Sequence, residues 1–239
     1  MIDVAVTEHA YSQMVCRAFA QGCDGNLVPP NRAGPFMACY GILRGCGEAM
    51  RKADEYFYID HGFFNRAAPA EGDGHYRVIH NNLWPPSTPD GDWTRYNKLA
   101  IDMKPRRKTG SHIVVVPPSP VMSQFLALEG WLDSVLLALD QLTDRPVFIS
   151  NKHDRPAHAM FEDAWCIVTE HSQVAIDAMV EGIPAIMLSP ARSNGDLNRI
   201  EDPPYNTDFF SRLANCQWTL DEMRSGECWA ALQRERERT

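Results

Sequence analysis

The sequence contains no C-x-x-C pair, and its seven cysteines are an odd number scattered over 239 residues. Disulfide frameworks and zinc ribbons both need paired, regularly spaced cysteines, so neither is expected. Reduced thiols in a cytoplasm are the simpler interpretation. Internal repeats are also missing, which excludes a solenoid or propeller.

Long hydrophobic runs are absent too. No apolar run approaches the roughly 20 residues that a bilayer-spanning helix needs, so we expect no membrane span. The first residues, MIDVAVTEHA, lack a basic region followed by a long apolar one, so we expect a first strand there and not a signal peptide. Hydrophobic residues at 44% and charged residues at 23% are typical of a globular protein, which we expect to be cytoplasmic.

Basic residues are too few to balance the acidic ones. Lys and Arg total 23 against 31 Asp and Glu, so the net charge is −8. Binding to nucleic acid or anionic lipid through counterion release favours the opposite balance. One basic cluster, KPRRKTG at 104–110, is either a solvated linker or a phosphate contact. His153 and His158 lie close together but lack a Cys or carboxylate partner at metal-site spacing, so no metal site is predicted.

Predicted strands and helices alternate along the chain. Apolar runs predict strands at 3–6, 55–60, 75–80, 111–116, 145–150, 165–169 and 184–188. Helices are predicted at 9–22, 125–142 and 173–181. Because the strands of the second half are continuous apolar runs, we expect an α/β protein with parallel sheets and helices on both faces.

The predicted elements form two Rossmann-like lobes. A segment at 84–110, rich in Pro, Gly, Asp, Lys and Arg, is the predicted connection. The lobes are a first one at 1–100 and a second one at 111–239. The C-terminal helix is a candidate to pack back on the first lobe.

The stretch DAWCIVTEHSQVAIDAMVEGIPAIML at 163–188 predicts a strand that runs into polar residues where a helix begins. In an open parallel sheet, ligands bind beyond the carboxyl ends of strands, at the amino ends of the following helices. Ser172 is placed as the N-cap of a helix whose N–H groups and dipole suit a phosphate. Gln173, Asp177 and Glu181 form one polar stripe, which puts Asp177 within reach of a sugar hydroxyl. Alternatively, Ser172 only caps the helix and Asp177 is only solvated.

The stretch IVTEHSQVAIDAMVEGIPAIM at 167–187 resembles the donor-site segment of GT-B glycosyltransferases. That segment runs from a strand through Ser-Ser or His-Ser into a small-residue helix with an acid, then Gly-x-Pro and another strand. In the family, the helix amino end holds the nucleotide diphosphate and the acid contacts the ribose. The resemblance implies that Ser172 and Gln173, beside His171, bind the phosphates and that Asp177, where Glu is more usual, binds the ribose.

Two stretches of the first half, YFYIDHGFFNR at 56–66 and HYRVIHNN at 75–82, resemble capsular-polysaccharide transferases and related glycosyltransferase-like proteins of bacteriophages. NCQWTLDEMRSGECWAAL at 215–232 is similar to the closing segment of the phage group. The resemblance implies a GT-B-like enzyme of a bacterium, or of host cytoplasm if phage-encoded. It also implies that the lobe at 1–100 is reduced and lies on the acceptor side, and that the lobe at 111–239 binds the nucleotide sugar. The cationic candidates on its acceptor side are Arg44, Arg66 and Arg77.

The catalytic candidates lie at the end of the strand EYFYID. The strand ends in Asp60, and His61 and Gly62 then turn the chain away. A carboxylate held there would be exposed to the predicted cleft, so Asp60 or its neighbour His61 is the candidate base for an acceptor hydroxyl. Alternatively, Asp60 caps the turn and His61 packs against aromatic rings.

The stretch YGILRGCGEAM places Gly41, Gly45 and Gly47 ahead of a helix. The spacing is not G-x-G-x-x-G and follows no obvious strand, so a dinucleotide cofactor is not expected. Arg44 in this loop is either an anion contact or part of a plain helix entry.

Further cations and a lid candidate follow two strands of the second half. In ISNKHDRP, Lys152, His153 and Arg155 either balance the charge of a diphosphate leaving group or are incidental surface charges. The stretch 189–206, which includes Arg192 and Asn194, has the length and polarity of a lid over the donor. Since no D-x-D pair ends a strand, we expect no metal.

These observations favour a metal-independent glycosyltransferase that moves a sugar from a nucleotide-activated donor to a hydroxyl acceptor, without a cofactor. A nucleotide-sugar epimerase or hydrolase, or an inert binding lobe on the same fold, is the alternative. The resemblance to capsular-polysaccharide transferases suggests a saccharide acceptor. The resemblance to phage proteins suggests instead a modified base in DNA, with KPRRK as the candidate contact to the DNA backbone. The acidic net charge counts against DNA.

Overall fold

The computed structural model describes residues 1–66, 74–150, 155–189 and 195–237. Its strands, in chain order, are β1 Asp3–Ala5, β2 Asn26–Val28, β3 Phe36–Tyr40, β4 Glu55–His61, β5 Tyr76–His80, β6 His112–Val116, β7 Val147–Ile149, β8 Ala164–Thr169, β9 Ala185–Met187 and β10 Gln217–Trp218. Its α-helices are α1 Ala10–Cys23, α2 Cys46–Lys52, α3 Thr94–Lys98, α4 Pro120–Leu126, α5 Trp131–Leu142, α6 Gln173–Val180, α7 Phe210–Asn215, α8 Leu220–Arg224 and α9 Glu227–Arg236.

The chain divides into two compact units. The first comprises Met1–Pro85, Gly91–Leu99 and Ser211–Thr239, and the second comprises Pro86–Asp90 and Ala100–Phe210. The second unit therefore ends near residue 210, whereas the sequence predicted a second lobe that runs to residue 239. The C-terminal helices α8 and α9 pack on α1, inside the first unit.

The first unit is built on a six-stranded sheet in the order β10-β5-β4-β3-β1-β2. Strands β1, β2, β3 and β4 are parallel, and β5 runs antiparallel to both β4 and β10. The carboxyl ends of β1, β3 and β4 therefore lie at the same edge as the amino end of β5. The predicted α/β class is confirmed, but this sheet is mixed and is larger than the other one.

The core of the first unit lies between the sheet and α1, α8 and α9. Side chains such as Val15, Phe19, Phe57, Ile59 and Val78 meet there and are buried. Burial of each large apolar side chain stabilises the fold by roughly 1.5–3 kcal/mol. Side chains alternate along a strand. The odd-numbered positions of β4 therefore face α1, and the even-numbered positions face the other side of the sheet.

The second unit has a four-stranded parallel sheet in the order β7-β6-β8-β9. Its core includes Ile113, Val115, Leu139, Val168 and Ile186, which explains why its central strands are continuous apolar runs.

The predicted helix 125–142 is two helices, α4 and α5, bent by 94°. Ala127 and Gly130 adopt positive φ between them, at 53° and 74°, and this left-handed backbone ends α4. No single helix in the described ranges is long and apolar enough to cross a membrane, and the bent pair meets that test only by length and composition.

The end of α6 is determined by Gly182. This residue has φ +79°, and a Cβ built on it would lie 2.2 Å from the carbonyl oxygen of Pro105. Its own carbonyl accepts a hydrogen bond of 2.6 Å from the N–H of Arg107. Only glycine fits this close approach, so the Gly-x-Pro pattern positions α6 against the basic stretch that precedes β6.

Candidate functional site

The amino end of α6 is the donor-site candidate of the second unit. β8 ends at Thr169, and the half-buried residues His171, Ser172 and Gln173 follow it at the carboxyl edge of the parallel sheet. The hydroxyl of Ser172 accepts a hydrogen bond of 3.4 Å from the N–H of Val174. The predicted N-cap is therefore present. The first turn of such a helix offers N–H groups and a partial positive charge to an anion.

Asp177 lies one turn into α6 and has a partner that the sequence did not predict. Its Oδ2 is 2.8 Å from Nε2 of His158, and its Oδ1 accepts a hydrogen bond of 3.4 Å from Gln173. The Asp177 side chain is 16% exposed and that of His158 is 60% exposed. His158 comes from a 3₁₀ turn, Ala157–Met160. The pair is thus at the surface, where a ligand can reach both side chains.

Glu170 is a further polar residue at this edge. It is buried, and its Oε2 accepts a hydrogen bond of 2.7 Å from Nε1 of Trp131, the first residue of α5. Burial raises the pKa of the Glu170 carboxyl, and the Trp131 hydrogen bond opposes that shift. The sequence indicates that Glu170 lies at this edge, because the residue directly follows an apolar strand. Nothing in the sequence indicates that it pairs with Trp131.

Of the three predicted cations after β7, Lys152 and His153 lie outside the described residues, as do Arg192 and Asn194 of the predicted lid. Arg155 is exposed, and its carbonyl accepts a hydrogen bond of 3.0 Å from the hydroxyl of Ser150. Arg155 therefore follows β7 at the same carboxyl edge as α6.

The basic cluster at 104–110 is largely used inside the second unit. Arg106 pairs with Asp202 at 3.2 Å, and Arg107 donates a hydrogen bond of 2.7 Å to the carbonyl of Phe161. Lys104 pairs with Asp102. These contacts hold the segment against its own unit, so they leave fewer cations for a phosphate backbone than the sequence suggested.

Asp60, the first catalytic candidate, forms an ion pair on the face of the first sheet that lies away from α1. Its Oδ2 accepts hydrogen bonds from Arg77 at 2.8 Å and from the Tyr58 hydroxyl at 2.6 Å, and its Oδ1 accepts one from the N–H of His61 at 2.8 Å. A carboxylate has about four lone-pair sites, and three are engaged here. Asp60 thus anchors the end of β4.

Arg77, a predicted acceptor-side cation, is buried, with its side chain 8% exposed. Its guanidinium lies 5.0–5.6 Å from the ring centroids of Tyr58, Phe63 and Trp84. Rings of this kind stabilise a cation through their faces. Arg77 is therefore the structural partner of Asp60.

His61, the second catalytic candidate, points to the opposite face, towards α1. Its ring lies 4.8 Å from the ring of Tyr11, 6.0 Å from that of Tyr40 and 6.0 Å from that of Tyr76. Nδ1 of His61 is buried and finds no hydrogen-bond partner in the described part of the chain. Burial lowers the pKa of His61, and the pull of Asp60 in the other direction is smaller. The imidazole is therefore neutral at pH 7 and able to accept a proton.

The other two cationic candidates are exposed, Arg66 near the start of β5 and Arg44 in the loop after β3. The expectation that no strand precedes Gly41 is wrong, because β3 ends at Tyr40 and Gly41 follows with φ +68°. The strand was missed because Met37, Ala38 and Cys39 show no alternation: all three are buried, as in a central strand. The loop thus joins a strand to α2, although its glycine spacing still differs from the dinucleotide pattern.

Within the described ranges, no group of three or more His, Cys, Asp or Glu side chains is arranged to hold a metal ion.

Comparison with solved structures finds a similarity to KpsC of Thermosulfurimonas dismutans, described as a β-Kdo 2,4 transferase. The two chains are 12% identical, the TM-score is 0.48, and the similarity covers 90% of each chain. No family model matches this chain, and no curated protein matches it. The fold assignment therefore rests on the two sheets described above.

Proposed function

We propose that the protein is a GT-B-like glycosyltransferase that moves a sugar from a nucleotide-activated donor to a hydroxyl of an acceptor. The observation that carries the proposal is the β8–α6 junction, where a buried parallel strand ends at a Ser-capped helix with Asp177 one turn in. This arrangement suits a nucleoside diphosphate, with the phosphates at the helix end and a ribose hydroxyl at the acid.

The donor's leaving group is a diphosphate whose charge grows as the glycosidic bond breaks. The N–H groups of the first turn of α6 and the helix dipole oppose that charge without rearranging, which is the most effective form of electrostatic stabilisation. Arg155 follows β7 at the same edge and is exposed, and we assign it to this role as well. Asp177 and His158 then hold the ribose, since each offers a hydrogen-bonding atom at the surface.

The acceptor hydroxyl needs a base, and we assign that role to His61. Asp60 has its oxygens engaged by Arg77, Tyr58 and a backbone N–H, whereas Nδ1 of His61 is unpaired within the described ranges. A neutral imidazole is a suitable base near neutral pH. Because Arg106 and Arg107 are tied to their own unit, a saccharide acceptor has more support than DNA.

The first prediction concerns donor binding. Calorimetry with UDP, GDP, CDP, CMP and dTDP is expected to find at least one ligand with a Kd between micromolar and low millimolar. For a ribonucleotide ligand, Asp177→Ala is expected to weaken binding about tenfold, because a hydrogen bond to a charged group is worth roughly 1.5–3 kcal/mol. The 2′- and 3′-deoxy forms of that ligand identify the hydroxyl: one of them binds the wild type weakly and is insensitive to Asp177→Ala.

Glu181→Ala is the matched control, since Glu181 is exposed at the end of the same polar stripe and is expected to leave binding unchanged. If no nucleotide binds, or if Asp177→Ala and Glu181→Ala behave alike, the donor assignment fails.

The second prediction is that transfer does not require a metal. Activity measured with radiolabelled nucleotide sugars is expected to survive an excess of EDTA, because helix ends and cations take the charge of the leaving group. Loss of activity in EDTA with recovery on adding Mn²⁺ would count directly against this mechanism.

A further inference from the structure

Five aromatic side chains gather at the carboxyl edge of the first sheet. They come from four places: His9 and Tyr11 at the start of α1, Tyr40 at the end of β3, His61 at the end of β4, and Tyr76 at the start of β5. The ring centroids of neighbouring members are 4.8–6.5 Å apart. We refer to these five residues as the ring cluster.

The ring cluster contains three buried polar atoms without a hydrogen-bond partner among the described residues. They are the hydroxyls of Tyr11 and Tyr76 and Nδ1 of His61. Tyr76 as a residue is fully buried, with 0% of its surface exposed. Burying a polar group without a partner is unfavourable, so native proteins rarely keep three in one place without a use.

The amino end of α1 adds further hydrogen-bonding capacity beside these atoms. His9 is the N-cap of this 14-residue helix, and its side chain makes no capping hydrogen bond. The N–H groups of a first helical turn have no partner within the helix. The edge thus combines apolar ring surface with several unmet donors and acceptors, which is the usual composition of a small-molecule site.

Resting on the proposed function, we propose that the ring cluster binds one hydroxyl-rich sugar ring of the acceptor. In this site the hydroxyls of Tyr11 and Tyr76 and Nδ1 of His61 are the hydrogen-bond partners of the sugar. Each sugar hydroxyl can both donate and accept, so it fits either a tyrosine hydroxyl or an imidazole nitrogen. One hydroxyl at Nδ1 of His61 is then positioned for loss of its proton.

The charge of the ring cluster favours a neutral sugar over nucleic acid. DNA is held mainly by Lys and Arg at its phosphates, and no ring of the cluster carries a permanent positive charge. Burial lowers the pKa of His61 and raises that of Tyr76 to about 12, so both side chains are neutral at pH 7. A neutral tyrosine hydroxyl keeps its proton and can donate it to a sugar oxygen.

The test is direct binding by ligand-observed NMR with the full chain and no nucleotide. The probes are the methyl glycosides of glucose, galactose and N-acetylglucosamine, with thymidine and a short single-stranded oligonucleotide as the DNA arm. At least one glycoside is expected to bind, and Tyr76→Phe and Tyr11→Phe are each expected to weaken it about tenfold or more.

A second readout separates binding from a structural role. Because the Tyr76 hydroxyl is buried and unpaired, Tyr76→Phe is expected to keep or raise the melting temperature while binding falls. Tyr56→Phe is the matched control on the same strand as His61, near its other end, and is expected to change neither quantity.

Three results would contradict the sugar site. They are that no glycoside binds, that thymidine or the oligonucleotide binds in place of the glycosides, or that Tyr76→Phe lowers the melting temperature without affecting binding. Nucleotide binding at α6 without glycoside binding overturns this site alone. Glycoside binding without nucleotide binding supports this site and overturns the transferase.

Discussion

His61→Asn is expected to lower kcat by at least about 10²-fold, the usual contribution of a general base. The asparagine amide takes the place of Nδ1 but cannot accept a proton. Nucleotide affinity is expected to stay unchanged, because α6 belongs to the other unit. Steady-state kinetics combined with calorimetry measures both quantities on the same preparation.

The pH dependence follows from the direction of the His61 shift. Burial lowers the pKa of His61. The nearby charges of Arg66, Arg77 and His9 lower it further, whereas the charge of Asp60 raises it. A base must be unprotonated, so activity is lost only when the pH falls below this lowered pKa. The acidic limb of the kcat/KM profile is therefore expected below pH ~6.5, the ordinary histidine value, and is expected to vanish in His61→Asn.

His80→Asn is the matched control. His80 lies at the other end of β5 and pairs with Glu55 at 2.8 Å, so it is expected to change neither kcat nor the acidic limb. If His61→Asn keeps the wild-type kcat, His61 is not the base, and Asp60 becomes the candidate.

Asp60→Asn is expected to destabilise the first unit by about 1–3 kcal/mol, because it leaves the buried Arg77 without its counter-charge, whereas the Asp60 end of the pair is 28% exposed and partly solvated. Arg77 would keep its charge among Tyr58, Phe63 and Trp84, without the carboxylate that balances it. Its buried Nε already lacks a partner among the described residues, so the substitution adds to an existing deficit of acceptors at this guanidinium. Urea unfolding monitored by tryptophan fluorescence measures the loss.

Two further variants make this expectation specific. Adding Arg77→Met to Asp60→Asn is expected to recover most of the stability, because a buried ion pair can often be replaced by apolar side chains of similar volume. Asp221→Asn removes the exposed pair with Arg224 and is expected to cost less than about 1 kcal/mol.

The same variants also test the role of Asp60 in catalysis. If the Asp60→Asn protein is fully folded and binds the donor normally, but its kcat falls about 10²-fold, then Asp60 is the base. That result would contradict the assignment of His61.

The sequence predicted the α/β class, most strands of the second unit and the Ser172 cap. These features are local. A continuous apolar run specifies a strand buried on both faces, and a Ser before a small-residue helix specifies a cap, wherever the rest of the chain lies. The buried face of α6, with Val174, Ala175 and Met179, follows from helical periodicity alone.

Sequence alone could not distinguish neighbouring residues that the fold places in different surroundings. Asp60 and His61 are neighbours in the chain, and the sequence offered Asp60 first and His61 next as the candidate base. In the sheet they point to opposite faces, one to an ion pair and the other to aromatic rings. Likewise, the apolar stretch 125–142 reads as one helix, although Ala127 and Gly130 bend it.

Local pattern thus accounts for where strands end and helices begin in this chain, and so for the edges at which chemistry can occur. The partners of the candidate residues depend on packing: Arg77 on Asp60, His158 on Asp177 and Trp131 on Glu170, at separations of 17, 19 and 39 residues. Such pairs leave no periodic trace, because strand register and helix packing bring them together. The partner then determines whether a carboxylate remains open to a ligand or serves as a structural anchor.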